Sequence, residues 1–388
     1  MEKIVFGGSG LMRHQGCVIF VPFSAPGDEV SLKITQEKKN FKIAQIEKIL
    51  HPSPDRVSPP CPHFESCGGC QLQHLSYEAQ LKAKRSFVAE ALGKEIEIVP
   101  APSPWHYRSH LRFNLRKEGK GFHYGFIATD NASLIEIQEC PLFSPETSLF
   151  SSLKTYLQTL PNAGIQSASC RLFKEESRFI LAFSFFPRLP KTLPPFPLAK
   201  GVAFKSPQEE IHQGNTHIKT HLLGVPVSFS PYGFMQNNLA MSEKLYQTVL
   251  DWVGPKPKKV LDLYCGVGIT STLLSRMGHD VIGVESNKEA LKKGQEARFI
   301  CAPVEAVLPK LLETFQPDVI LVNPPRTGLS PEVRLSLKAP ELLYISCMPA
   351  TLKRDLQDLQ RHFRIDKGLA FDMFPQTTHV ETLVRLVI

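Results

Sequence analysis

The sequence lacks any long apolar run. Its most hydrophobic stretches, such as Val18 to Pro22 and Ile180 to Phe186, are far too short to cross a bilayer. The opening Met1-Glu2-Lys3-Ile4-Val5-Phe6-Gly7-Gly8 lacks the apolar core of a secretory signal. These absences lead to the expectation of a cytoplasmic protein with no membrane partner. A reducing compartment excludes a disulfide framework as the reason for nine cysteines. A dominant charge of one sign is missing too. The formal charge of +8 suits a polyanionic partner without requiring one. At 388 residues, 42% apolar and 21% charged, the chain has ordinary globular composition. That length accommodates roughly two or three domains.

What is present begins with short apolar runs set between turn signals. Gly7-Gly8-Ser9-Gly10 precedes Cys17 to Val21, Ala25-Pro26-Gly27-Asp28 precedes Val30 to Ile34, and Phe41 to Ile49 closes the set. Several short strands with Gly/Pro punctuation predict a small β-barrel over residues 1–50. Lys33, Lys38, Lys39, Lys42 and Lys48 give it a basic tilt, suited either to holding RNA or to forming a solvated charged face.

A proline-rich linker, residues 51–60, leads to Cys61, Cys67 and Cys70, with Gly68-Gly69 permitting a tight chain reversal. Cys140, beside Pro141, is the natural fourth ligand. Four thiolates suit structural zinc or an iron–sulfur cluster. Paired C-x-x-C knuckles would favour zinc, whereas this three-plus-one spacing leans toward a 4Fe–4S cluster. His63 and His74 are alternative zinc ligands, so donor chemistry alone leaves the metal open. Radical enzymes that cleave S-adenosylmethionine leave one iron open. Here Cys140 would close the site, so a structural or RNA-shaping cluster is expected.

The stretch from Gln71 to Leu92 has helical periodicity. Trp105 to Lys117 then alternates aromatic or apolar residues with cations. Read as a strand, it sets Arg108, Arg112 and Arg116 on one face, where they can follow a phosphate backbone. An amphipathic strand with a charged outer face is the alternative. From Ser144 to Ile218 no chemical motif is found, and residues 187–197 read as a linker or surface loop.

The C-terminal part carries the chemistry. Val260 to Tyr264 is an apolar strand entering Cys265-Gly266-Val267-Gly268-Ile269-Thr270, and a second strand, Asp280 to Glu285, ends in an acid. Glycines let backbone approach a ligand, and Glu285 can accept from ribose hydroxyls. A dinucleotide site would want a third glycine, which is absent, so the pattern points to S-adenosylmethionine. Asp318 to Val322 ends in Asn323-Pro324-Pro325-Arg326-Thr327-Gly328, a rigid loop. Residues 229–238 offer the aromatic faces of Phe229, Tyr232 and Phe234 and the Gln236 amide to the same ligand. A further apolar run, Leu342 to Ile345, delivers Ser346 and Cys347 to a turn, and a helix start follows at Pro349. A buried structural cysteine is the alternative to a nucleophile there. Glu381 opens a closing strand.

These residues resemble the uracil-5 RNA methyltransferases, in the branch with an N-terminal TRAM domain and a cysteine-bound iron–sulfur cluster that contains the 23S ribosomal RNA enzymes. Ser346 to Leu352 with Arg354-Asp355, the Asn323 to Gly328 loop and His379-Val380-Glu381 carry the resemblance most specifically. It implies an α/β fold: a TRAM-like barrel at 1–50, a mixed α+β iron–sulfur and RNA-binding domain at 61–225, and a Rossmann-like methyltransferase domain at 226–388. It also implies Cys347 as nucleophile and Glu381 as base. Gln236, Tyr264, Glu285 and Asn323 would contact S-adenosylmethionine, and Cys61, Cys67, Cys70 and Cys140 would hold the cluster. The implied partner is RNA, ribosomal rather than transfer RNA, met by a monomer. Three positions depart from the family: Asn323 replaces an aspartate, Met348 an asparagine and Ile269 an asparagine.

The chemistry agrees with those residue types. Carbon-5 of uracil attacks a methyl group only after a thiolate has added to carbon-6, and a carboxylate must then take the carbon-5 proton. The target base must also leave its stack. Two other functions fit parts of the pattern. An amino-nitrogen methyltransferase would use Asn323-Pro324-Pro325 but wants an aromatic residue where Arg326 stands, and has no use for Cys347. A non-catalytic RNA-binding protein would not need both Cys347 and Glu381.

Overall fold

The computed structural model describes residues 1–143, 147–162, 164–175, 178–186, 188–191, 193–233, 235–288, 290–291 and 297–388. The chain divides into two compact units that do not follow chain order. One comprises Met1–Ala83, Ser103–Ile218 and Phe374–Thr378, and the other Lys84–Pro102, Lys219–Met373 and His379–Ile388. Among the described residues no helix is long and apolar enough to cross a membrane.

In the first unit, five strands form the N-terminal barrel-like sheet. In spatial order they are Lys3–Ile4, Ser9–His14, Cys17–Pro22, Phe41–His51 and Glu29–Glu37. Ile19, Val21 and Ala44 are its buried centre, a small core suited to so short a piece. The stretch read as a linker is not loose. Asp28, buried after the Pro26-Gly27 turn, accepts hydrogen bonds from the backbone N–H groups of Ala25 and Ser53 and from the Arg56 guanidinium. Proline-rich composition concealed this, because a single buried carboxylate ties residues 53–56 down.

The same unit holds a seven-stranded sheet, with His110–Glu118 paired to Gly121–Ile127 on one side and to Ser167–Glu175 on the other. Leu111, Phe113 and Leu115 alternate inward, toward the helix Thr147–Thr159 with its Leu149, Phe150, Leu153 and Leu157. Arg112 and Arg116 point to the other, exposed face. The expected row of three arginines is thus two. Arg108 precedes the strand and is half-buried.

The second unit is built on an eight-stranded sheet ordered Arg298–Cys301, Asp280–Glu285, Lys259–Leu263, Val319–Val322, Glu341–Ser346, Glu381–Val387, Arg364–Phe371 and Glu97–Val99. The first five run parallel, and Glu381–Val387 is inserted antiparallel between its neighbours. The strand Val319–Val322 is buried at every residue and Lys259–Leu263 at all but its first, which is why they read as continuous apolar runs. Leu261, Leu263, Ile320, Val322, Leu342 and Tyr344 share one core with Leu308, Val333 and Leu356 of the helices Val304–Thr314, Pro331–Ser336 and Pro349–Leu359. Asp262 lies on the opposite face and accepts from the hydroxyls of Thr270 and Ser271, at the start of the helix Ile269–Arg276. The central domain expected at 61–225 includes the helix Tyr77–Leu92. In the structure Val88, Leu92 and Ile96 pack into the core of the second unit, because the apolar side of this helix matches that sheet.

Candidate active site

The strand Glu341–Ser346 ends in a tight turn. The Ser346 hydroxyl lies 3.2 Å from both the N–H and the carbonyl of Met348, and Pro349 opens the helix Pro349–Leu359. Met348 sits at the N-cap with no side-chain cap bond. Cys347 is half-buried at this turn. The antiparallel ladder to Glu381–Val387 ends at the pair Ser346 and Thr382, so Cys347 and Glu381 both lie one step beyond its last rung. Burial and then the Glu381 carboxyl push the Cys347 thiol up to about 11, and Arg326 opposes them. Glu381 is 5% exposed and, among the described residues, its Oε2 has no hydrogen-bond partner. Burial pushes its carboxyl up to about 8, again against Arg326. Two groups that would both be anions thus share one desolvated place and one nearby cation.

Arg326 comes from the loop after Val319–Val322, closed by a Gly328 N–H to Pro325 carbonyl bond of 2.8 Å. The loop is held by Asp355, which is fully buried. Asp355 accepts from the Leu329 N–H at 2.8 Å, from the Tyr344 hydroxyl at 2.6 Å and from Arg334 and Arg354. It therefore joins the arginine loop to the strand that carries Cys347. Sequence reasoning missed Arg326 as the shared cation. The position was noticed only for the aromatic residue it lacks, and no local signal reveals which charges a loop will face.

Three of the expected donor-binding residues, Tyr264, Glu285 and Asn323, lie at the carboxyl ends of neighbouring strands in this unit. Tyr264 follows Lys259–Leu263 with φ +61°, a left-handed backbone that is rare for a tyrosine. Gly266 and Gly268 continue the turn at φ +57° and +74°. The Glu285 carboxylate accepts from the Gly266 N–H at 3.0 Å and from the Asn287 N–H at 2.7 Å, tying the glycine turn to the next strand. Burial raises Asp262 to about 6, opposed by its hydroxyl donors. Asn323 is half-buried, and its N–H reaches the Leu263 carbonyl. Gln236 is half-buried before the helix Leu239–Val253. Phe234 lies outside the described residues.

The four expected metal cysteines lie in the other unit. Cys61, Cys67 and Cys70 come from the turns at 61–70, and Gly68 lets that chain approach the Ile127 carbonyl closely. Cys140 feels the charge of Cys61 and Cys67, and Cys70 that of Cys140. Burial raises all four thiols, Cys70 to about 12 and Cys140 to about 11. Among the described residues no three histidine, cysteine or acidic side chains stand close enough to hold a metal ion. Arg108, expected on the arginine row, instead faces Cys70 and Cys140, and its Nε is buried without a partner. A cation set among soft donors fits a group that would bind them as thiolates.

A parallel sheet with a Gly-x-Gly turn, an acid ending the next strand and an antiparallel strand at the far side defines an S-adenosylmethionine-dependent methyltransferase fold, here with a TRAM domain in front. Residues 1–54 match the TRAM domain of tRNA (uracil(54)-C(5))-methyltransferase, and residues 308–387 match tRNA (uracil-5-)-methyltransferase. An uncharacterized RNA methyltransferase of Protochlamydia amoebophila is 38% identical, covering 100% of this chain and 96% of its own. The 23S rRNA (uracil(1939)-C(5))-methyltransferase RlmD of Shewanella sediminis is 32% identical over 99% of this chain and 94% of its own. The crystal structure of Pyrococcus abyssi tRNA (uracil-54, C5)-methyltransferase in complex with S-adenosyl-L-homocysteine superposes with a TM-score of 0.78 at 27% identity, covering 100% of this chain and 99% of that one. The chain belongs to the RNA uracil-5 methyltransferase family and is an S-adenosylmethionine-dependent enzyme.

Proposed function

We propose that the protein forms 5-methyluridine in 23S ribosomal RNA, with Cys347 as nucleophile and Glu381 as base. The observation that carries this reading is that the two residues flank the same last rung, that Glu381 acts on the Cys347 thiol and that Arg326 acts on both. S-adenosylmethionine supplies the methyl group when bound. The Cys347 thiolate adds to uracil carbon-6, and the electron pair of the 5,6 double bond moves to the O4 enolate. Carbon-5 then takes the methyl carbon as its bond to sulfonium breaks. Glu381 removes the carbon-5 proton, the 5,6 double bond re-forms, and the Cys347 thiolate leaves. Arg326 stabilises both anions in turn. Gln236, Tyr264, Glu285 and Asn323 orient the donor.

Cys61, Cys67, Cys70 and Cys140 would hold a 4Fe–4S cluster within the RNA-binding part of residues 61–225, with residues 1–50 and 226–388 as the flanking functional pieces. Bound there, it would supply a rigid crosslink between the 61–70 turns and residue 140. Transfer RNA is the second reading for the substrate, favoured by the likeness to the archaeal tRNA enzyme over the full chain. Mapping 5-methyluridine by mass spectrometry in RNA from cells with and without the protein decides between them. Loss of the mark from 23S ribosomal RNA is expected, and loss confined to transfer RNA would overturn the first reading. RNA containing 5-fluorouridine should trap a covalent adduct; an equal adduct with Cys347→Ala would refute the nucleophile.

A further inference from the structure

The helix Tyr77–Leu92 carries Lys84 with no exposed surface, ion-paired to Asp372, which is equally buried. Asp372 is the residue after Phe371, and Phe371 is the direct ladder partner of Glu381. Its own N–H is bound to the Val99 carbonyl at 3.0 Å. The next residue, Met373, receives the Asn238 amide on its carbonyl at 3.2 Å, while the Asn238 Oδ1 caps the helix Leu239–Val253 through the Met241 N–H. Tyr246 of that helix lies within electrostatic range of Glu381.

Resting on the reading of Glu381 as base, we infer that Lys84 is a positioning residue for it, acting through Asp372, with Asn238 as a second clamp. Among the described residues the Glu381 Oε2 has no hydrogen bond to fix it. The placement of the carboxylate then leans on the backbone, and the strand beside it ends at Phe371, next to Asp372. Stability alone does not call for this pair, since apolar residues of similar volume commonly replace a buried ion pair without loss. What the pair supplies is direction: a carboxylate and an ammonium close on one geometry, whereas apolar side chains slide. Lys84 and Asp372 carry opposite charges, and neither is among the groups that set the Glu381 proton affinity. The pair acts on placement and leaves charge alone.

The test uses the full-length protein, methyl-labelled S-adenosylmethionine and an unmodified 23S ribosomal RNA transcript, or a transfer RNA transcript if the native protein methylates that one. Lys84→Met/Asp372→Leu removes both charges together, so neither is stranded. Turnover is expected to fall roughly tenfold or more. A methylated, denaturation-resistant RNA–protein adduct should accumulate, because addition and methyl transfer proceed while proton removal lags. Asn238→Ser, which keeps a cap and loses the Met373 bond, should accumulate less of the same adduct. Glu381→Gln is the control. Adduct in Glu381→Gln but not in the double variant overturns the role of Lys84 alone. Adduct in neither overturns the base assignment and this inference with it. Adduct formation and turnover falling in equal proportion in the double variant also overturns it, since that is what loosened folding does.

Discussion

Cys347 and Glu381 both lie one step beyond the Ser346–Thr382 rung that ends an antiparallel ladder, and the Glu381 carboxyl acts on the Cys347 thiol. Burial raises the proton affinity of both, the Glu381 carboxyl adds to the rise at Cys347, and Arg326 opposes the rise in each.

The first consequence concerns stability. Glu381 is raised from its ordinary 4.5 to about 8, so between those values the folded chain binds more protons than the unfolded one. Stability therefore falls as pH rises through that window and levels off above about 8. Glu381→Gln should abolish turnover yet stabilise the fold, on the order of 3 kcal/mol at pH 7 and nothing below pH about 4. Denaturant unfolding of both forms at several pH values measures this; a gain that grows toward acid would refute it.

Arg326 governs the rate. Removing it leaves the pair without its opposing cation, so both groups hold their protons to higher pH. In Arg326→Leu the rising limb of the pH–rate profile should move to higher pH, with activity down about two- to tenfold at neutral pH and partly recovered in alkali. A uniform loss at every pH would assign Arg326 to RNA binding instead.

Gly328 tests how tightly the arginine loop is held. Its φ is +74°, and a Cβ there would sit 2.5 Å from the Asp355 Oδ2. Gly328→Ala should destabilise by about 1–3 kcal/mol and lower activity beyond that, since displacing Asp355 disturbs both Leu329 and Tyr344. Thermal melting and rate measurements on the same preparation separate the two effects.

Met348 offers the opposite change. It occupies an N-cap with extended backbone, φ −137° and ψ 103°, and has no side-chain acceptor to offer the helix. Met348→Asn should stabilise by about 1 kcal/mol through an added cap bond. An unchanged or lower melting temperature would show that the Ser346 hydroxyl already serves the turn in full.

Much of this was legible along the chain. Two-residue alternation set Tyr107, Leu111 and Leu115 on the face opposite the arginines, where Leu111 and Leu115 are core, and apolar runs marked strands at 260–264 and 342–345, observed at 259–263 and 341–346. The Gly266–Gly268 turn and the acid at Glu285 revealed a β-α-β unit, because turn chemistry is written in adjacent residues. Arg108 did not follow the alternation. Its neighbours in sequence say strand face, whereas its neighbours in space are cysteines brought from 70 and 140.

The sequence by itself determined which residue types this chemistry can use: a thiol after an apolar strand, a carboxylate opening another, four cysteines in a three-plus-one spacing. Those are local facts, carried by residue identity and by periods of a few positions. Only the tertiary structure decided which groups share an environment. It brought Cys347 within range of Glu381, brought Arg326 toward both, joined Lys84 to Asp372 across 288 positions, and left a carboxylate dry enough to hold its proton near neutrality. Proton affinity and ion pairing depend on distance and desolvation in space, and neither quantity exists until the chain has folded.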